Sequence, residues 1–175
     1  MFLEKLKTIT TFIFDVDGVL TDGTAMASAS GELLRTFNIK DGYALQLALK
    51  KGYQICIISG SSGQATQLRF QNLGLKHVYL GVSNKVEIFE QYLSDNKIAP
   101  NQVLYMGDDM PDFEVMKLVG IATCPADAVE EIKQISHYIS PKKGGQTAVR
   151  DVIEKVLKAQ QQWVDLNLSA VDASK

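Results

Sequence analysis

The sequence has little of what would assign it at once. Two cysteines occur in 175 residues, Cys56 and Cys124, each inside a short apolar run. Neither has the close-spaced partners of a zinc site. They are expected to be buried, reduced thiols on strands, which fits a reducing cytoplasm. No run approaches the ~20 apolar residues of a membrane span. The first ten residues carry Glu4, Lys5 and Lys7 in place of a signal peptide's apolar core. Neither sign of charge dominates: the net charge is -2, which gives no general attraction to nucleic acid or to an anionic membrane. The Gly-Lys-Ser/Thr of a P-loop is missing, and so is the Gly-x-Ser-x-Gly of a serine hydrolase. Asp15, Asp17 and Val19 begin like a calcium loop, but Leu20 stands where an EF-hand needs glycine.

What is present is an alternation of strand and helix. Apolar runs occur at Thr11 to Val16, Gln54 to Ser59, His77 to Gly81, Val103 to Gly107 and Ile121 to Cys124. Runs apolar on both faces belong in a parallel sheet covered on both sides. Between them, Asp41 is placed to cap a helix that stops at Gly52, and Ser61 or Ser62 to start one that ends near Gly74. Asn84 opens a third, striped by Ile88, Phe89, Tyr92 and Leu93. Val149, Val152, Ile153, Val156 and Leu157 keep the three-four spacing of a last amphipathic helix. The pattern predicts an α/β fold, an open, doubly wound parallel sheet in one domain over 1–163. One stretch breaks the rhythm: Thr24 to Asn38 reads as a β-hairpin turning near Ser30-Gly31. It is too small to fold as a separate cap domain. Residues 164–175 lack periodicity and are expected to form a mobile tail.

In such a sheet, ligands sit at the carboxyl ends of the strands. Asp15 and Asp17 end the first strand, Ser59-Gly60 the second, and Asp108 and Asp109 follow the strand that stops at Gly107. Two like charges ~4 Å apart repel by roughly 4 kcal/mol at an effective dielectric of 20. A cation removes that cost, and an all-oxygen donor set suits Mg²⁺ better than zinc. Aspartates as simple helix caps are the competing explanation, which accounts poorly for two pairs at one edge. Lys85 lies three, four and seven residues before Ile88, Phe89 and Tyr92, so it shares their inward stripe. It also sits in a first turn, where the helix dipole disfavours a cation. Either it meets an anion there, a phosphate or an aspartate, or it snorkels to solvent. The small loop Ser59-Gly60-Ser61-Ser62-Gly63 offers hydroxyl and N–H groups to phosphate oxygens, a weak signal by itself.

Together these residues resemble the haloacid dehalogenase superfamily of phosphatases, whose four motifs occur in order. They are Asp15-Val16-Asp17-Gly18-Val19-Leu20-Thr21-Asp22, then Ser59, then Lys85, then Gly107-Asp108-Asp109-Met110-Pro111-Asp112. The hairpin, Asn38-Ile39-Lys40-Asp41-Gly42, and Lys142-Lys143-Gly144-Gly145 with Arg150 narrow the resemblance to the family of 3-deoxy-D-manno-octulosonate 8-phosphate phosphatases. The resemblance spans roughly Leu6 to Trp163. It implies a capless, tetrameric magnesium enzyme of lipopolysaccharide sugar synthesis. It makes Asp15 the nucleophile and Asp17 the acid and base. It gives Mg²⁺ to the Asp15 carboxylate, the Asp17 main-chain carbonyl and Asp108, and the phosphoryl group to Ser59, Gly60 and Lys85. Asp109 and Asp112 would support the metal and the loop. Lys143 and Arg150 would reach the substrate rim, with surface salt bridges as the alternative. One departure stands out: many members continue the second motif as Ser-Gly-Arg, and here Ser61 takes the arginine's place.

Two further readings stay open. A nine-carbon acid sugar phosphate, of the sialic acid type, would use identical chemistry. A receiver-type signalling domain also combines acids, a hydroxyl and a lysine, but it carries its phosphoryl-accepting aspartate on the third strand, which here ends at Gly81. The implied partners are a small sugar phosphate and further copies of the chain, a homotetramer, with neither nucleic acid nor membrane.

Overall fold

The computed structural model describes residues 2–163, so the expected tail at 164–175 lies outside the described residues. The chain opens with helix α1 (Phe2–Leu6) and strand β1 (Thr11–Phe14), followed by the hairpin strands β2 (Met26–Ala27) and β3 (Leu33–Leu34). Helix α2 (Ile39–Lys50) leads to β4 (Gln54–Ile58), α3 (Gln64–Asn72), β5 (His77–Tyr79) and α4 (Lys85–Asn96). Then come β6 (Val103–Met106), α5 (Phe113–Met116), β7 (Ile121–Cys124), α6 (Glu130–Ile135), β8 (Tyr138–Ile139) and α7 (Ala148–Ala159).

Six strands form one sheet in the order β5-β4-β1-β6-β7-β8. Every neighbouring pair is parallel, and Ile13 sits opposite Cys56 on one side and Tyr105 on the other. The chain winds outward from β1 in both directions, so the sheet order reverses at the β1 end. Ligands of such sheets bind at that crevice.

Residues alternate between two cores. Phe12, Phe14, Ile55, Ile57, Leu104 and Met106 face α2, α3 and α7. Ile13, Cys56, Ile58, Val103 and Tyr105 face α4, α5 and α6. This explains why the strands read as continuous apolar runs: both faces are covered. In α7 the predicted stripe of Val149, Val152, Ile153, Val156 and Leu157 is fully buried, and each such side chain stabilises by about 1.5–3 kcal/mol.

Several element ends differ from the sequence expectation. Helix α2 starts two residues before Asp41, because the Asn38 side chain accepts from Lys40 N at 2.9 Å and caps it. Asp41 lies inside the helix, buried, and accepts instead from Arg150 N at 2.8 Å in the first turn of α7. Burial pushes its carboxyl up to about 6 against the pull of that bond. Helix α3 begins after Gly63, not at Ser61 or Ser62, and Glu32 of the hairpin accepts from its Ala65 N at 3.1 Å. The short α1 and β8 carry too few residues for a periodic signal and were not expected. Asn84 caps α4 as expected.

The hairpin does turn at Ser28–Gly31: Gly31 N donates to Ser28 O at 3.0 Å and Ser28 N to Glu32 O at 2.9 Å. Met26 pairs with Leu34 and Ala27 with Leu33. Met26, Leu33 and Leu34 leave much of their surface open.

Candidate active site

The first motif is a tight loop built around Thr21. Its buried hydroxyl accepts from Gly18 N and Gly23 N and donates to the Val16 carbonyl. Gly18 takes φ +78°, which glycine alone adopts cheaply, and a Cβ there would collide with the Asp108 carboxylate. This close approach brings the ends of β1 and β6 together. The Lys-Lys-Gly-Gly loop closes onto the same turn. Gly145 N donates to Val19 O at 3.0 Å, and a Cβ on Gly144 would run into the Gly18 carbonyl.

Asp15 is buried at the end of β1. Its Oδ1 accepts from Val16 N at 2.6 Å and its Oδ2 pairs with Lys85 Nζ at 2.9 Å. Lys85 is 6% exposed and also donates to Asp112 Oδ1 at 2.7 Å. The inward phase of Lys85 on α4 is therefore real, and the anions it meets are two aspartates. Asp112 is fully buried and satisfied: Tyr105 OH donates to the same Oδ1 at 2.6 Å, and Asp108 N donates to Oδ2 at 3.2 Å. Asp109 lies outside this network and caps the turn that follows, accepting from Met110 N at 2.7 Å.

Carboxylate oxygens of Asp15, Asp108 and Asp112 lie within 4.8 Å of one another. Burial lowers the Lys85 ammonium, but Asp112 and Asp15 more than offset this, so its proton is held more tightly than usual. One ammonium cannot neutralise three acids. Burial, then repulsion from Asp112, pushes Asp15 up to about 6 despite Lys85. Burial and repulsion from Asp15 push Asp108 up to about 8. The surplus negative charge and the all-oxygen donors fit a hard divalent cation. Asp15 and Asp108 line a cavity of about 280 Å³ with Asp17, Gly18, Ser59 and Gly60, and Asp112 lies beneath it. Asp15 and Asp108 are thus the acids placed to meet a cation, while Asp112 braces Lys85 and the Asp108 backbone.

Ser59 ends β4 with its hydroxyl 3.0 Å from that of Ser61. Asp17 lines the cavity, but its carboxylate is engaged by Arg35, through Nε at 2.5 Å and Nη2 at 2.9 Å. Lys143 and Arg150 do not line this cavity. Arg150 pairs with Glu154 at 2.6 Å and stacks on Tyr43 and Trp163. It borders a separate groove on α7 with Lys40, Lys142 and Thr147. The late motif reaches the site through the backbone of Gly144 and Gly145.

Sequence reasoning missed Arg35, Thr21, Tyr105 and Glu32. Thr21 lay inside the quoted motif with no role assigned. Tyr105 sits mid-strand, where an aromatic reads as core. Arg35 and Glu32 act across the hairpin, and no local spacing marks their partners.

Comparison with known proteins bears on this geometry. Residues 77–153 match the family model for haloacid dehalogenase-like hydrolases. The chain is 39% identical over 158 residues to the 3-deoxy-D-manno-octulosonate 8-phosphate phosphatase KdsC of Escherichia coli K12, covering 90% of this chain and 84% of that protein. The crystal structure of the phosphatase of that name from Yersinia pestis superposes with a TM-score of 0.90 at 35% identity, covering 92% of this chain and 87% of that one. The one from Moraxella catarrhalis, in complex with a magnesium ion, a phosphate ion and KDO, gives 0.89 at 32% identity, with 92% of each chain covered. On these likenesses, and with the acids, Ser59 and Lys85 gathered at the carboxyl edge of the sheet, the chain belongs to the 3-deoxy-D-manno-octulosonate 8-phosphate phosphatase family of haloacid dehalogenase-like hydrolases.

Proposed function

We propose that this chain hydrolyses 3-deoxy-D-manno-octulosonate 8-phosphate to the free sugar acid and phosphate, with Mg²⁺ as cofactor, in lipopolysaccharide sugar biosynthesis. The observation that carries the reading is the meeting of Asp15 and Asp108 at one cavity, with Lys85 paired to Asp15 beside it, in a chain of this family.

Asp15 is the nucleophile. Its carboxylate attacks phosphorus, the bond from phosphorus to the sugar oxygen breaks, and an aspartyl phosphate forms. Asp17 gives its proton to the leaving sugar oxygen. It then takes one from the water that attacks the aspartyl phosphate, which releases phosphate and restores Asp15. Ser59, the Gly60 backbone and Lys85 hold the transferring group. Such transfer depends mostly on positioning and charge stabilisation. Lys85 needs no search for its place, because Asp112 and Asp15 fix its ammonium. Asp15, Asp108 and the Asp17 main-chain carbonyl would hold the ion, which when bound neutralises charge on the phosphoryl oxygens. Asp112 and Asp109 support the loop. Lys143 and Arg150 serve the substrate rim only if an assembled neighbour or the sugar itself extends to them.

The assembly follows from the hairpin. Met26, Leu33 and Leu34 present more apolar surface than a lone hairpin tolerates well, and Ile39 at the start of α2 is 77% exposed. A homotetramer in which hairpins pack together would cover this patch, and the enzyme would work in the cytoplasm. No helix among the described residues is long and apolar enough to cross a membrane. Light scattering during size-exclusion chromatography tests the tetramer, and a hairpin deletion should give smaller particles.

A nine-carbon acid sugar phosphate is the second reading, left open by Ser61, where the family resemblance leads one to expect an arginine. A panel of phosphorylated keto-deoxy sugars decides between them. The eight-carbon substrate should give the highest kcat/KM with Mg²⁺. A clear preference for the nine-carbon one would overturn the first reading.

A further inference from the structure

The contact between Arg35 and Asp17 joins the hairpin to the chemistry within one chain. The Arg35 side chain is 3% exposed, against 39% for that of Asp17. The guanidinium is therefore on the protein side of the pair, and Asp17 is on the cavity side, where it lines the wall. The fork is complete: Nε reaches Oδ1 at 2.5 Å, Nη2 reaches Oδ2 at 2.9 Å, and Nη1 donates to the Leu33 carbonyl at 2.8 Å. That last bond ties the guanidinium to its own hairpin strand. The hairpin is pinned a second time, where Glu32 Oε1 accepts from Ala65 N at 3.1 Å. Ala65 opens the helix that follows the Ser59 loop, so the hairpin spans both motif loops.

A carboxylate has about four lone-pair sites, two on each oxygen. A bidentate fork takes one from each oxygen and leaves the others open. Lysine has no planar fork and cannot fix the plane of the carboxylate in this way. An aspartate that must meet a leaving oxygen and later a water gains from being held in one plane, since a misplacement of ~1 Å costs about 10²-fold in rate.

The geometry points to Arg35 as a positioning residue: from the hairpin it fixes the plane of the Asp17 carboxyl group, so that a proton on the open edge meets the leaving oxygen, and the same edge, once bare, meets the attacking water. The assignment rests on the reading of Asp17 as acid and base, and it is independent of which sugar is the substrate. It gives the insertion a second role besides assembly. The hairpin completes the acid–base half of its own site.

The test uses full-length Arg35→Gln and Arg35→Lys with Mg²⁺ and two substrates. One is an alkyl or sugar phosphate, whose leaving oxygen needs a proton. The other is an aryl phosphate, whose leaving group departs without one. On the sugar phosphate, kcat of Arg35→Gln should fall about 10²-fold, with KM within about twofold of wild type. On the aryl phosphate, the first turnover should release aryl alcohol at the wild-type rate, because phosphorylation of Asp15 needs no acid. Later turnovers should slow, because the water still needs Asp17. Arg35→Lys, which keeps the charge but not the planar fork, should recover little of the loss. Glu32→Ala, which unpins the hairpin elsewhere, should leave the contrast between the substrates as in wild type. The first-turnover amplitude counts active protein, so misfolding cannot imitate the pattern. Equal loss on both substrates in the first turnover would reduce Arg35 to a structural contact and overturn the inference. A raised KM with unchanged kcat would make it a substrate ligand and overturn it as well. Wild type that ignores the octulosonate phosphate, while still cleaving other alkyl phosphates, would sink the substrate reading alone.

Discussion

The floor and the rim of the site are held together by different means. On the floor, Lys85, Asp112, Tyr105 and Asp15 are buried and bonded to one another at 2.6–2.9 Å. On the rim, the hairpin strands expose Met26, Leu33 and Leu34, and the tip-side contacts are Arg35 to Asp17 and Glu32 to Ala65 N, while Phe37 and Asn38 anchor the base on Phe70 and Gly145. A buried ionic floor has one arrangement that satisfies its charges, and departures from it are costly. Strands held mainly by part-buried or exposed polar contacts move more cheaply, which suits the part that would meet a whole sugar. On the proposed mechanism, the charged floor would place the phosphoryl group and the insertion would orient the proton-transfer residue.

Four substitutions or conditions press on that contrast. The largest effect is expected from Asp15→Asn, which removes the nucleophile. Turnover measured by phosphate release should fall at least ~10³-fold, with the fold intact by circular dichroism. Next is Asp112→Ala, which strips Lys85 and Tyr105 of a shared buried partner. Urea unfolding should show a loss of about 3–5 kcal/mol. A loss below ~1 kcal/mol would mean that the floor is far less rigid than its bonds imply.

The third test is pH. Asp15 and Asp108 are raised in the folded chain, to about 6 and about 8. Between the ordinary aspartate value and these values, the native state binds more protons than the unfolded one. Without divalent ions, the contribution of these two groups to stability should therefore be fully present below about pH 4 and be lost as pH rises to about 8. Mg²⁺ should flatten that slope and raise Tm most at the alkaline end. Asp108→Asn should be more stable than wild type in chelator at pH 8, and its Tm should respond less to Mg²⁺. A wild-type Tm indifferent to the ion at every pH would contradict the electrostatic account. The smallest effect belongs to the rim: Glu32→Ala should cost about 1 kcal/mol or less, read again by urea unfolding. A floor-sized loss there would erase the distinction between the regions.

The charged residues of the floor, though not Tyr105, were legible in the sequence; the hairpin of the rim was legible too, but its contacts were not. Strand ends carry Asp15, Ser59 and Asp108 to one edge because a parallel sheet leaves them nowhere else to go. Lys85 announced itself by a helical phase that would be costly without an anion. Asp112 was expected as a support, but its hold on Lys85 arises only once α4 packs over β6. Arg35 is 18 residues from Asp17 along the chain and Glu32 is 33 from Ala65. Such pairs arise from how a hairpin folds back, and no period encodes that. Asp41 was misread for a related reason. Asn38 and Asp41 both make good caps, and only the approach of α7 shows that Asp41 is reserved for the Arg150 amide. Arg150 read as a rim residue by its motif, yet Glu154, one turn further on, and the rings of Tyr43 and Trp163 hold it in another groove.

The central claim is that Asp15 carries the phosphoryl group. Asp17→Asn with an aryl phosphate and Mg²⁺ tests it most directly, because Asp15 can be phosphorylated without an acid but the product then waits for a base. Acid quenching followed by peptide mass spectrometry should find one phosphoryl group on Asp15, with an amount that rises in the first turnover and then holds. A phosphoryl group on any other residue, or steady turnover with Asp15 never modified, would contradict the account.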